Sequence, residues 1–118
     1  MGDDGDLLAD DDAHPIPQVA TCDVKGIKKT GGAELVIVIA SPLPADARSK
    51  QRLIEKIKNY LGFIRSNAFV EEAGPPSISK TTIVVDIHRK SDPEIFDLLD
   101  RCRDWVLDNH ASLVVRER

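Results

Sequence analysis

ELVIVIA, residues Glu34 to Ala40, carries apolar side chains on both of its alternating faces. Leu35, Ile37 and Ile39 share one face; Val36, Val38 and Ala40 share the other. Successive side chains of a strand point to opposite sides, so a strand wetted on one side alternates apolar with polar. A run apolar on both faces belongs instead to a strand buried on both, as in a parallel sheet covered by helices. Pro42 and Pro44 end it.

Upstream, Val19 to Lys28 mixes alternating and β-branched residues and reads as a first strand. Thr30-Gly31-Gly32 joins the two as a hairpin, because glycine reaches positive φ without steric cost. Downstream, Leu53, Ile57, Tyr60/Leu61 and Ile64 recur at steps of three and four, one stripe of a helix together with Ile54. Gly62 falls on the opposite side, so the helix passes through it at a cost of about 1 kcal/mol relative to alanine. The pattern ends the helix at Ser66, with Asn67 as a left-handed cap. Residues 68–78, with Pro75-Pro76, read as a loop.

Thr81 to His88 is a third strand, with Ile83, Val85 and Ile87 on one face and Val84, Asp86 and His88 on the other. A second helix follows with the apolar stripe Ile95, Leu98/Leu99, Cys102 and Trp105/Val106. Ser91 and Glu94 have capping-box spacing, or Asp92 caps with Pro93 at the first helical position. Ala111 to Arg116 reads as a last strand. The expectation is an α/β two-layer sandwich of order ββαβαβ. Its four-stranded mixed sheet has strand one antiparallel to strand two, strands two to four parallel, and both helices on one face through right-handed crossovers. A ferredoxin-like antiparallel α+β arrangement is the alternative.

Two stretches resemble a family of small bacterial proteins described as a domain of unknown function. One is Asp23-Val24-Lys25-Gly26-Ile27, similar to the family's Asp-x-x-Gly-Ile first strand. The other is Glu55 to Ser66, similar to its helix end Glu-Lys-Ile-x-x-Tyr-Leu-x-Phe-Ile-x-Ser. The likeness continues through the third strand and second helix, covering nearly all of residues 19–117. Where the family has an acidic residue and a glycine around that serine, this chain has Arg65 and Asn67. The resemblance implies one compact fold and brings no activity, cofactor or catalytic residue.

The 118 residues suit one domain. Six of the twenty acidic residues, Asp3, Asp4, Asp6, Asp10, Asp11 and Asp12, fall in the first seventeen positions with no Lys or Arg among them, leaving fourteen acids against sixteen bases. Such a stretch buries too little apolar surface to offset its ordering entropy. Residues 1–17 therefore read as a disordered acidic tail and residues 18–118 as the domain. Cys22 and Cys102 suggest neither a metal site nor a disulfide framework, and read as buried free thiols in a reducing compartment. The N-terminus has no basic region followed by an apolar stretch, and no apolar run spans a bilayer. The expectation is a cytoplasmic protein without a membrane partner.

No Gly-rich phosphate loop, zinc-ligand spacing or nucleophile elbow is present, so no catalytic residue, metal ligand or cofactor is assigned. The best chemical candidate is Asp86 to Asp92. Asp86 and His88 project from one strand face. His88, Arg89, Lys90 and Ser91 lead into a helix start whose free N–H groups suit an anion, at the carboxyl end of a strand. An ordinary polar strand face followed by a helix cap explains the same residues. Asp97, Asp100, Asp104 and Asp108 read as a solvated helix face. Arg48, Arg52 and Lys56 form a basic flank on the first helix that could suit RNA or an acidic partner, but the chain is acidic overall, which argues against nucleic acid. The flank instead suits the protein's own acidic tail or second helix. His110 reads as a cap and Trp105 as core or interface.

The leading functional expectation is a non-enzymatic interaction module acting as a homodimer. With the larger apolar set of strand two under the helices, Val36, Val38, Val84 and Val114 would line an open sheet face and form its interface. The alternative is an anion or small-molecule binding domain, even a minor enzyme, using Asp86 to Ser91.

Overall fold

A computed structural model describes residues 8–29 and 31–118. Among the described residues lie four strands, β1 (Val24–Ile27), β2 (Ala33–Ile39), β3 (Thr81–Ile87) and β4 (Ser112–Glu117), and three helices, α1 (Ala47–Ile64), α2 (Asn67–Ala73) and α3 (Pro93–Asp108). The strands form one mixed sheet in the order β1-β2-β3-β4. β1 runs antiparallel to β2, while β2–β3 and β3–β4 are parallel. The antiparallel ferredoxin-like pairing of β2 with β3 is therefore not the arrangement found.

One contiguous core joins the Leu35/Ile37/Ile39 and Ile83/Val85/Ile87 sets of the sheet to Leu53, Ile57 and Ile64 of α1 and to Ile95, Leu99 and Val106 of α3. Gly62 lies inside α1 with nothing within 4 Å of where its Cβ would be. The β1–β2 hairpin turns through Gly31 and Gly32, both at positive φ. Thr30, the first residue of the expected hairpin signal, lies outside the described residues.

Several expectations are corrected. The first helix ends at Ile64, and Asn67 is no left-handed cap: it opens α2, which occupies most of the stretch expected to be a loop. The reason lies in Ser66. Its hydroxyl donates to the Phe63 carbonyl at 2.6 Å and accepts from the Phe69 amide at 3.3 Å, so one residue closes α1 and caps α2. The element order is thus ββααβαβ. At α3, Asp92 is the N-cap, accepting from the Glu94 amide at 2.9 Å, with Pro93 opening the helix. His110 closes α3 as backbone, at φ 64 with its amide on the Leu107 carbonyl.

The first strand is shorter than expected, because residues before Val24 turn away from the sheet. Asp23 is the stopping point. Its carboxylate accepts from the Val38 amide of β2 at 3.0 Å, taking the place of the backbone acceptor that a longer β1 would offer.

Of the stretch expected to be a disordered acidic tail, residues 8–17 lie against the domain, and residues 1–7 are outside the described residues. Ile16 is 1% exposed and belongs to the core, and Leu8 packs against it. Asp11 in this segment is met by a cation of α1, Arg48, at 2.6 Å.

Candidate functional site

The most developed polar constellation runs along one side of α1. Ser49, Arg52, Lys56 and Asn59/Tyr60 follow one another at steps of three or four, which stacks them on one helix face. Ser49, Arg52, Lys56 and Tyr60 are buried. Over them lies residues 9–23, an irregular segment whose backbone finds its partners on the helix. Arg52 donates through Nε, at 2.9 Å, and through a terminal nitrogen to the Ile16 carbonyl, and through its other terminal nitrogen to the Ala9 carbonyl at 2.7 Å. Lys56 donates to the carbonyls of Gln18 and Thr21 and to the Asp23 carboxylate at 2.7 Å. Asn59 donates to the Val19 carbonyl at 2.9 Å. The Tyr60 hydroxyl accepts from the Asp23 amide and donates to the Val36 carbonyl, both at 2.8 Å. Burial pushes its ionisation far above the ordinary phenol value.

Arg48 and Lys56 extend this clasp electrostatically. Arg48 pairs with Asp11 at 2.6 Å, which holds that carboxyl below the usual carboxylate range. The basic flank faces the chain's own N-terminal segment, one of the two partners expected for it, and two of its members are interior: Arg52 is 0% and Lys56 1% exposed. Burying a charge is costly unless it is paired, and among the described residues backbone carbonyls and the Asp23 carboxylate contribute to that pairing. A cleft of about 190 Å³ opens at the far end of the clasp, lined by Ala20, Thr21, Cys22, Asn59, Tyr60 and Phe63. Its polar groups are already engaged: Asn59 on Val19, Tyr60 on Asp23 and Val36, Thr21 on Gln18, and the Cys22 thiol on the Val24 carbonyl. Cys22 is half-buried and Cys102 buried; both are free, and burial raises both thiols.

The expected anion segment is differently built. The His88 amide extends the sheet to the Ile39 carbonyl, and its Nδ1 accepts from the Lys90 amide at 3.0 Å. The buried Ser91 hydroxyl accepts from the Leu43 amide at 3.0 Å, and the Asp92 amide donates to the Leu43 carbonyl at 2.9 Å. Leu43 itself is fully buried. The crevice beyond the carboxyl ends of β2 and β3, where α/β sheets usually take ligands, is therefore filled by the chain's own 40–46 turn. Asp92 holds the Glu94 amide, and Glu94 pairs with Lys50. Arg89 and Lys90 stand exposed beside it. Asp86 lies 3.9 Å from Arg118.

Of the four interface candidates, Val36, Val84 and Val114 pair in turn across β2, β3 and β4, and Val24 of β1, not among the candidates, continues the row; Val38 pairs instead with Asp86. Val36 and Val84 are 8% and 2% exposed yet lie outside the main core, whereas Val24 and Val114 are 50% and 44% exposed. Val38 is half-buried. Polar rows flank the valines: Glu34, Thr82 and Ser112 on one side, Asp86 and Arg116 beyond Val38 on the other.

Among the described residues, no three of His, Cys, Asp or Glu are grouped as metal ligands, and no helix is long and apolar enough to cross a membrane. Compared with family models, curated proteins and solved structures, the chain matches none.

Proposed function

We propose that this chain is a non-catalytic interaction module of the cytoplasm that pairs with a second copy of itself. α1 and α3 cover one face of the sheet, and the opposite face is the contact. The support is the valine row. It crosses every strand in register, its central members are already excluded from water, and its ends, Val24 and Val114, present their side chains at the two edges. A two-fold axis along the strands would lay Val24 of one copy over Val114 of the other and seal both ends at once. That is the simplest closed arrangement for a self-complementary surface, and aligned sheets pack face to face at about 10 Å.

The same proposal places the chain with the small bacterial family it resembles. The shared positions carry structure here: Asp23 ends β1 and pairs Lys56, Tyr60 ties Asp23 to β2, and Ser66 joins two helices.

Sedimentation velocity at high micromolar concentration tests the pairing. The wild type should run as a dimer, and Val114→Glu and Val38→Glu as folded monomers. A wild-type monomer under these conditions sinks the idea.

A further inference from the structure

Residues 9–17 reach α1 through Ala9, Asp11 and Ile16, held by Arg48 and Arg52, and through one imidazole. His14 Nδ1 accepts from the Ile16 amide at 2.9 Å, and its Nε2 lies 3.0 Å from the Ser49 hydroxyl. A ring that accepts at Nδ1 carries its proton on Nε2 and is neutral; an imidazolium has no acceptor left. Around the ring stand Arg48 and Arg52 from α1, Asp46 from the cap of α1, and Asp11 from the segment itself. Asp11 is committed to Arg48, and Asp46 accepts from the Ser49 amide at 2.7 Å, so neither carboxylate is bonded to the ring.

We propose that residues 9–17 are a proton-released strap: protonating His14 breaks its bond to the Ile16 amide, sets a third cation beside Arg48 and Arg52, and frees the segment from the N-terminal half of α1. Release withdraws Ile16 from its buried seat and the Ile16 and Ala9 carbonyls from Arg52. It leaves the sheet, β1 and the Lys56–Asp23 pair in place, because those contacts belong to residues 18–23.

The direction in pH follows from the surroundings. Burial first, then Arg52 and Arg48, hold the strapped ring below its ordinary value of 6.5, against the smaller pull of Asp11 and Asp46. The released strap therefore binds a proton that the closed one refuses. Opening does not depend on pH above about 6.5, grows as pH falls below it, and levels off below the strapped ring's own titration. Asp11 titrates below the ordinary carboxylate value, so it stays charged throughout this window. The inference is independent of the pairing proposed above.

The test is amide and guanidinium hydrogen exchange by NMR on the full chain, with the His14 ring titrated in the same samples. Protection of the Ile16 amide and the Arg52 Nε–H should fall several-fold between pH 7.5 and 5. The limiting loss should equal the ratio of the released and strapped ring's acid constants. Core amides of Ile37 and Leu99 should keep their protection. His14→Asn should abolish the response, since its side-chain oxygen can accept the amide two residues on as an Asx turn without titrating. The ring's nitrogen shifts, read on the wild type, should show the Nε2–H form at pH 7.5. Flat protection in the wild type overturns the proposal, as does a response that survives in His14→Asn. So does a loss shared equally by the core amides, or an Nδ1–H ring at pH 7.5.

Discussion

Gly32 and Gly62 are the same residue in opposite situations. At Gly32 the φ is 91°, and an added Cβ would stand 2.3 Å from the Lys80 carbonyl oxygen. The close approach has a purpose: the Gly32 amide donates to the Ala73 carbonyl and the Ala33 amide to the Lys80 carbonyl, so the hairpin is tied to the last residue of α2 and to the residue before β3. Alanine there meets both a forbidden dihedral and a backbone atom that cannot move aside. At Gly62 the helix is regular and the space empty. Gly62→Ala should raise stability by about 1 kcal/mol through helix propensity alone, and Gly32→Ala should lower it by roughly 2 kcal/mol or more. Urea melts of the two variants check the signs; equal signs would contradict the geometry. Tyr60→Phe removes one oxygen but unpairs the Asp23 amide, a group with that hydroxyl as its partner. Leaving such a group unpaired costs about 1–3 kcal/mol, and the same melts should show the loss with no change in secondary structure by circular dichroism.

At the scale of elements, α1 does two jobs with two faces. Its apolar stripe was legible in the sequence, because Leu53, Ile57, Leu61 and Ile64 recur at helical spacing and burial follows that period. The strand pairing was legible for a similar reason: ELVIVIA needs cover on both sides. Its second face was legible only in part: Arg48, Arg52 and Lys56 marked a basic flank suited to the acidic N-terminal stretch, but not the groups it holds. Arg52 and Lys56 bind backbone carbonyls, and a carbonyl is offered by every residue, so no partner pattern in residues 9–21 betrays the contact. Charge alone made the segment look solvated; a single apolar residue, Ile16, anchors it, and one residue has no periodicity. The break at Ser66 was masked differently. Serine ends helices and begins them, and Ser-Asn-Ala-Phe at 66–69 is an N-cap signal that follows too closely on a helix end to be separated from it by pattern. At the expected anion segment, Ser91 and Asp92 were rightly placed at a helix start, but Leu43, remote in sequence, takes the donors and acceptors that a ligand would need. Asp23→Ala should be the severest change to this second face. It strips Lys56 of its one carboxylate contact and Val38 of its amide acceptor. Breaking a buried pair from one side costs about 3 kcal/mol, to be read as a lower denaturation midpoint with an unchanged slope.

For the whole molecule, the question is how much of the fold depends on a segment that looks dispensable by composition. A domain of this size has a total stability on the order of 5–15 kcal/mol. Ile16 alone is worth about 2–3 kcal/mol when fully buried. The bonds from Arg52 to Ile16 and Ala9 add less, since a guanidinium uncovered by truncation regains water rather than being stranded. Sealing by this segment also keeps water from the N-terminal half of α1, where Ser49 and Arg52 sit on the same helix as the core residues Leu53 and Ile57. Deleting residues 1–17 should therefore lower the unfolding free energy by roughly 3 kcal/mol, a sizeable part of the total, while the sheet and its register survive. Thermal unfolding followed at Trp105, which lies on α3 and packs against the core, reads this directly. A disordered, purely solubilising tail would leave the midpoint where it was. A truncated chain as stable as the full one would remove residues 8–17 from the fold, and with them the strap.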